Sequence, residues 1–300
     1  MIEHQPAPLH LVIAARADPP LPLPRLRARD QLLELRQSDP CFAPEEAAQF
    51  FAHVIGQPLP EADAQALAAR TEGWIAGLQL AAVSLRAQTP QQASAFIRSF
   101  TGSDRFVLDY LGEVVLAHQA ADLQTLLLQT SILDQMTGPL CDAVTGRRDS
   151  ATLLDQFDRA NLFITPLDNE RRWYRYHRLF ADLLQRRLSQ TRSAEVKELH
   201  RRASAWCEQH DLRIAAIDHA LAAEDFDRAA ELIAHEAEPA LMRSEAATLI
   251  KWITALPDRL VQARSSLLFY HAWARLSLQS REISGKFHIQ MVHARARQLI

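Results

Sequence analysis

Glycine is scarce in this chain, which contains 8 glycines among 300 residues. Sandwiches and barrels built from short strands need many tight turns, and those turns usually need glycine, which adopts left-handed backbone angles without a steric penalty. Alanine and leucine are abundant instead, and apolar residues recur mostly at helical spacing. The sequence therefore predicts a mainly α-helical chain.

One segment near the N-terminus departs from this pattern. Residues 9–16, LHLVIAAR, form a near-continuous apolar run of strand length, typical of a strand buried on both faces of a parallel sheet. Parallel strands need several neighbours, and no second run of this type follows. We therefore expect a remnant α/β strand whose sheet lies mostly outside residues 1–300. The sequence also has no GxxxxGK[ST] or GxGxxG loop to cradle phosphates.

Charge and cysteine content exclude several classes of function. The net charge of −3 provides no global attraction to nucleic acid. Cys41, Cys141 and Cys207 are far apart and lack CxxC spacing, so they predict neither a disulfide framework nor a zinc site. No apolar run approaches the roughly 20 residues that span a bilayer. We expect a cytoplasmic protein with no metal site and no membrane partner.

Catalytic motifs are also missing. The sequence has no GxSxG elbow, no HExxH and no paired-carboxylate constellation, and its histidines do not share a metal-binding spacing. We therefore expect no catalytic residues and no independent enzyme activity.

The segment Arg171–Leu184, RRWYRYHRLFADLL, combines arginines with aromatic residues and then becomes an apolar helix pattern. Alternation over its first half predicts a short strand, which places His177 at the strand-to-helix junction. Residues 161–168 predict a preceding strand that closes a hairpin. Helices followed by a hairpin are typical of a winged helix. A plain hairpin arm with exposed arginines and a satisfied histidine remains the alternative.

DNA binding by this winged helix is a second alternative. Its arginines could contact phosphates. However, the helix before the hairpin presents Asp155 and Asp158 where a recognition helix needs cationic or amide side chains. The sequence therefore favours other partners for the arginines.

Helical patterns flank the winged helix on both sides. Phe42–Phe51 and Asp63–Arg86 predict helices, the second broken around Gly73 and Gly77, with Trp74 as a core anchor. Beyond Glu195 the spacing is helical to the end, with small residues at close crossings, as in stacked helical hairpins. The sequence self-similarity of these hairpins is weak.

Five ordered motifs together resemble a known family. The chain is similar to the MalT-like regulators, which are large ATP-dependent LuxR-type transcriptional regulators of the STAND signalling ATPase class. The motifs are HLVIAARADPPLPLPRLRARDQLLELR, TEGWIAGLQLAAVSL, LQTSILDQMTGPLCDAVTG, NLFITPLDNERRWYRYHRLFADLL and AIDHALAAEDFDRAAELI.

The resemblance implies four parts and a position within a longer regulator. They are the end of an NTPase sheet with a linker (1–24), a helical lid (25–100), a winged helix (101–195) and TPR-like helical repeats (196–300), with the P-loop before them and a helix-turn-helix after them. Residues after Leu278 depart from the family's repeat, so their structure is not predicted.

The resemblance also implies the site residues and partners. Arg16 and His177 would contact the phosphates of ATP or ADP in the whole regulator, and this region alone would bind no cofactor. Gln79 stands where many members of the wider class carry proline. Partners would be a second copy through self-association, an unknown small-molecule or protein inducer on the repeats, and DNA only through the C-terminal domain. A free-standing helical-repeat scaffold without nucleotide or DNA binding is the alternative.

Overall fold

The computed structural model describes residues 11–13, 19–34, 41–55, 59–85, 90–101, 104–160 and 162–278. The chain divides into two compact units. The first comprises residues 1–139 and 148–188, and the second comprises residues 140–147 and 189–300.

The described residues are mainly helical, which confirms the predicted fold class. One helix, α6, continues as a π-helical segment over Tyr110–Leu116. The helices are α1 Leu23–Ala28, α2 Pro44–Ile55, α3 Glu61–Thr71, α4 Ile75–Leu85, α5 Pro90–Ser99, α6 Arg105–Asp109, α7 Ala121–Thr130, α8 Gly138–Thr145, α9 Ser150–Arg159, α10 Arg178–Thr191, α11 Ser193–Gln209, α12 Arg213–Ala222, α13 Phe226–Met242, α14 Ala246–Ala255, α15 Asp258–Ala263 and α16, residues 265–278; the strands are β1 Ile164–Pro166 and β2 Tyr174–Tyr176.

The apolar run near the N-terminus does not form a strand where it is described. Leu11, Val12 and Ile13 are irregular, and 58%, 90% and 49% of their respective surfaces are exposed. A strand needs neighbouring strands to pair its N–H and C=O groups, and no described segment lies beside these residues as a strand. The remainder of residues 9–16, including Arg16, lies outside the described residues.

Helices α2, α3 and α4 pack together in the first unit. Helix α2 begins at Pro44, within the predicted segment, and the Glu46 carboxylate accepts a hydrogen bond from the Ala43 N–H at 2.8 Å. The predicted break in the next segment occurs at Glu72 and Gly73, both with positive φ, whereas Gly77 lies inside α4. This break sets the angle between α3 and α4.

The hairpin β1–β2 follows α7, α8 and α9 in the chain. The strands are antiparallel, with Ile164 opposite Tyr176 and Pro166 opposite Tyr174. Tyr174 also exchanges two backbone hydrogen bonds with Met136, so a third short extended piece joins the hairpin. The Asp168 carboxylate accepts the N–H groups of Arg172 and Trp173 and thereby fixes the turn. The predicted hairpin is confirmed.

The second unit contains two helical hairpins that repeat every 33 residues. Helices α11 and α13 start 33 positions apart and end 33 positions apart, and so do α12 and α14. The turns repeat too, because Asp211 and Ser244 are both left-handed and 33 positions apart. The prediction of stacked helical hairpins is therefore confirmed for α11–α14. Their 33-residue period is not evident from the residue types.

Within the described residues, no helix is both long and apolar enough to cross a membrane.

Two histidines face each other inside the first helical hairpin. His200 of α11 and His219 of α12 approach to 2.9 Å between their Nδ1 atoms, so one ring donates and the other accepts. Burial lowers the pKa of His219 to about 4. The folded hairpin therefore requires a neutral His219.

We expect acid to destabilise the second unit through His219. Its pKa is lower in the folded chain than in the unfolded chain, so its contribution to stability is complete above about pH 6.5 and is lost as pH falls towards 4. The free energy of unfolding from urea titrations at pH 7, 6 and 5 should fall by up to about 1.4 kcal/mol per pH unit from this group. His219→Leu should flatten the profile relative to wild type, whereas His210→Gln, at an exposed site, should not. An unchanged profile in His219→Leu would contradict the assignment.

Candidate functional site

His177 occupies the junction between β2 and α10, as the sequence predicted. Its N–H donates to the Phe163 carbonyl at 2.8 Å, and its own carbonyl accepts from the N–H groups of Phe180 and Ala181 in the first turn of α10. Only 7% of the residue is exposed. The backbone on both sides therefore holds the imidazole in one buried position.

The imidazole of His177 reaches the end of α3, and α2, α3 and α4, which lie in the segment predicted to be a lid, are called the lid helices below. Its Nε2 lies 3.0 Å from the carbonyl oxygen of Thr71, the last residue of α3. A carbonyl oxygen can only accept, so Nε2 carries the proton. In the neutral ring Nδ1 is then a lone-pair acceptor, and it is buried without a hydrogen-bond partner. The ring thus has one nitrogen bound to Thr71 and one buried nitrogen without a hydrogen-bond partner.

Burial keeps this imidazole neutral. Desolvation lowers the pKa of His177, and the Arg175 guanidinium adds to the decrease. The Glu72 carboxylate, the hydrogen bond to Thr71 and the more distant Asp182 carboxylate oppose it. The pKa of His177 therefore lies below its usual value, although the carboxylates of Glu72 and Asp182 favour the protonated ring.

Glu72 links the turn after α3 to both β2 and α10. Its two carboxylate oxygens accept from Nη1 and Nη2 of Arg175 at 2.8 and 2.7 Å, and one of them also accepts the Arg178 N–H at 3.0 Å. That N–H begins α10, so the carboxylate also caps the helix. Burial alone would raise the pKa of Glu72, but the Arg175 hydrogen bond, the nearby His177 and the Arg178 N–H together lower it.

Aromatic side chains enclose the imidazole. The rings of Trp74 and Phe163 meet it edge to face, with centroids 5.7 and 5.9 Å away, and they meet each other at 5.0 Å. Trp74 is only partly buried. The predicted core anchor is thus one wall of the His177 site.

Two residues around His177 have unfavourable backbone angles. Glu72 has φ of 50° and Phe163 has φ of 52°, in the left-handed region that disfavours residues with a Cβ atom. Glycine would fit either position at lower cost. The chain keeps a carboxylate at one and an aromatic ring at the other, and both side chains face the imidazole region. Glu72 is also the left-handed C-cap of α3, with its N–H on the Ala68 carbonyl.

Gly73 completes the turn beside Glu72. Its φ is +70°, and a Cβ atom built there would lie 2.5 Å from the Phe42 carbonyl oxygen. The two backbones are hydrogen-bonded, because the Phe42 N–H donates to the Gly73 carbonyl at 2.9 Å. Glycine is therefore required both for its conformation and for this close approach.

The wing arginines are engaged within the chain. Arg171 lies 3.1 Å from Asp158, and Arg172 lies 2.6 Å from Glu170. Arg175 binds Glu72 as described above. Asp155 and Asp158, which are unsuited to a DNA-recognition helix, thus neutralise the charge of Arg171.

The remaining predicted positions contribute less to this site. Arg16 lies outside the described residues. Gln79 is exposed on α4. Glu72 was not predicted, although TEG at the end of a helix is a signal for a left-handed turn. Across the described part of the chain, no cluster of three or more His, Cys, Asp or Glu side chains could hold a metal ion.

Comparison with known proteins finds a family model for the winged helix and relatives along most of the chain. The model of the MalT winged helix domain matches residues 111–196. The HTH-type transcriptional regulator MalT of Yersinia pestis is 34% identical over 273 residues, which cover 91% of this chain and 30% of that protein. The chain is MalT-like.

A second relative of this MalT-like chain carries a different name. The serine/threonine-protein kinase PknK of Mycobacterium tuberculosis is 35% identical over 271 residues, covering 90% of the chain and 24% of the kinase. The chain therefore spans less than a third of the length of either relative. It corresponds to a region shared by a regulator and a kinase.

The Glu72–Arg175 pair should stabilise the first unit of this MalT-like chain measurably. Both side chains are about one-third exposed or less, so we expect a coupling energy of about 1 kcal/mol from the double-mutant cycle Glu72→Gln, Arg175→Gln and the double variant. Urea unfolding provides the measurement. The matched pair Glu170 and Arg172 is well exposed, and the same cycle there should give less than about 0.3 kcal/mol. Equal couplings for the two pairs would contradict the assigned role of Glu72.

Replacing Gly73 should be more costly than replacing the other left-handed glycine. Gly73→Ala combines a positive φ with a clash against Phe42, and should lower the free energy of unfolding by more than about 2 kcal/mol. Gly146 has φ of +78° but no atom within 4 Å of a built Cβ, so Gly146→Ala should cost only about 1 kcal/mol. Thermal unfolding of both variants distinguishes backbone strain alone from strain combined with a clash. An equal loss of stability in the two variants would show that the turn at Gly73 can move.

Proposed function

We propose that this chain is the regulatory region of an ATP-dependent, LuxR-type transcriptional regulator of the STAND class. In this role it couples nucleotide state and inducer binding to self-association and transcription activation. One observation carries the proposal. The buried imidazole of His177 binds Thr71 through one nitrogen, and its other nitrogen has no hydrogen-bond partner. The MalT-like sequence supports the regulatory part.

The nucleotide role follows from the protonation of His177. Phosphate oxygens only accept hydrogen bonds near neutral pH, and Nδ1 of the neutral ring also only accepts. The ring can therefore bind phosphate in two ways. Either Nδ1 gains a proton while Nε2 stays on Thr71, or Nε2 leaves Thr71 and donates to the phosphate.

The first way fits the surrounding charges. A protonated His177 would be opposed by its burial and by Arg175, and stabilised by the carboxylates of Glu72 and Asp182. An ADP phosphate beside Nδ1 would add a further negative charge and raise the pKa of the ring. By resemblance, Arg16 would supply a second cation to the same phosphates.

The contacts around His177 explain how nucleotide state would reach the rest of the chain. Arg175, His177 and the Arg178 N–H all bind the turn formed by Thr71 and Glu72. A change at the imidazole therefore alters the support of both the lid turn and α10. ADP would favour this closed junction, and ATP with inducer would favour an open form that self-associates.

The helical hairpins of the second unit are the proposed inducer site, for a small molecule or a protein. DNA contact is assigned to a helix-turn-helix domain of the whole regulator. The ion pairs of Arg171, Arg172 and Arg175 support this assignment, since phosphate contacts by the wing would have to break them. We propose no catalytic activity for this region itself.

ADP affinity should depend on the proton that His177 takes up. The pKa of the free ring is lowered, so binding that raises it takes up a proton, and affinity should increase as pH falls from 8 to 6. Calorimetric titration of ADP into the regulator that carries this region with a P-loop domain, in buffers of different ionisation enthalpy, measures the proton uptake. His177→Gln should abolish the uptake and weaken ADP binding about tenfold.

A matched control and a contrary result define this test. His210→Gln replaces an exposed histidine of α11's C-terminal cap and should leave affinity and proton uptake unchanged. If His177→Gln retains wild-type affinity and wild-type oligomeric state with ADP, the switch assignment is wrong, and the scaffold alternative is favoured.

A further inference from the structure

A small cavity lies between the first helical hairpin and the start of α13. Its volume is about 160 Å³. A cavity of about 150 Å³ accommodates benzene, so this space holds roughly six non-hydrogen atoms. The lining consists of two arginines, one aspartate and three small residues, which are Arg201, Ser204, Ala205, Ala220, Asp225 and Arg228. All six belong to the second unit, and none is part of the His177 site.

The second helical hairpin shows what this position contains when no cavity is needed. A step of 33 positions from the lining leads to Ala234, Ala237, Glu238, Ile253, Asp258 and Val261. Ile253 takes the place of Ala220 and is 1% exposed, and Val261 takes the place of Arg228 and is 8% exposed. Apolar side chains therefore fill the corresponding position. The stacking of the hairpins requires neither the two arginines nor a small residue at position 220.

Both guanidinium groups of the cavity hold only exposed partners. Arg201 is 3.4 Å from one carboxylate and 4.0 Å from another, which is long for a hydrogen bond. The partners are Glu198 and Asp225 for Arg201, and Glu208 and Glu231 for Arg228. These side chains are 37% to 56% exposed. Such ion pairs add little stability, so a bound anion can replace them at low cost.

The inner part of the cavity offers a ligand no hydrogen-bond donor. The Ser204 hydroxyl donates to the Ala216 carbonyl at 2.7 Å, so its hydrogen is already used. Ala205 and Ala220 contribute methyl groups. A phosphate is polar on every side and would place oxygens against these methyl groups. The cavity is better suited to a molecule with one anionic end and one apolar end.

We propose that this cavity binds a small carboxylic acid. Its carboxylate lies between Arg201 and Arg228, and its apolar end faces Ala220. Guanidinium groups match the planar geometry of a carboxylate and form charge-assisted hydrogen bonds with it. The acid is then the chemical class of the inducer, and this assignment of its role rests on the proposed function. The binding itself does not.

Titration of butyrate into the 300-residue chain tests the proposal. Butyramide is the matched probe, because it has nearly the same shape without the charge. Saturation-transfer NMR at constant ionic strength gives the dissociation constants, and the Nε–H resonances of Arg201 and Arg228 locate the site. Butyrate should bind with a dissociation constant of about 1 mM, which a ligand of this size can reach. Butyramide should bind at least about tenfold more weakly.

The second hairpin supplies the variants for this titration. Ala220→Ile, Arg201→Ala and Arg228→Val each introduce the residue found 33 positions later, and each should weaken butyrate binding at least about tenfold. The control Lys197→Ala also introduces its counterpart, Ala230, and removes an exposed cation of α11 outside the cavity lining. It should leave butyrate binding unchanged. Circular dichroism checks the helical content, and the exposed variant Arg201→Ala is decisive if Ala220→Ile does not fold.

Three results would overturn the proposal. The first is equal affinity for butyrate and butyramide. The second is undiminished butyrate binding in folded Ala220→Ile or in Arg201→Ala. The third is binding of inorganic phosphate at the two arginine resonances without binding of butyrate, because the site would then take phosphate. No nucleotide is present in this experiment, so its failure and a failure of the ADP role of His177 are distinguishable.

Discussion

The carboxylate of Glu72 connects the two halves of the first unit. It neutralises Arg175 on a strand of the winged helix, caps α10 and lies close enough to His177 to influence its proton. The residue holds a left-handed backbone angle to do so, with Gly73 accommodating the Phe42 backbone behind it. Loss of this one side chain would leave the Arg175 guanidinium without its carboxylate and the first N–H of α10 without its acceptor. The geometry of the lid and winged helix therefore depends on this turn.

The fold class, the hairpin and the position of His177 could be predicted because each depends on local spacing. The contact between Glu72 and Arg175 could not, because it joins residues 103 positions apart and nothing in either local pattern specifies the other. The predicted N-terminal strand is absent at residues 11–13 for a related reason, because a strand's stability depends on neighbours that local sequence does not provide.

The period of the second unit was hidden because it is conserved in geometry and not in residue type. Ala203 of α11 corresponds to Glu236 of α13, a buried carboxylate that Arg243 binds at 2.6 Å. His219 corresponds to Trp252, which donates its indole N–H to Asp218. The helix lengths and the left-handed turn positions recur, whereas few buried residues do, such as Leu199 and Leu232. Aligning the two hairpin sequences therefore gives few identical residues, whereas their helix ends differ by the same 33 positions.

This constant step has an evolutionary consequence. Each helical hairpin contacts mainly its immediate neighbours, so removal or duplication of one 33-residue block would join surfaces of the same shape. The length of such an array can change by whole units without redesign of a shared core. A point substitution in a buried position, in contrast, must fit against the helices packed on each side. A lineage carrying this region can therefore change the number of its helical hairpins more readily than the residues within any one hairpin.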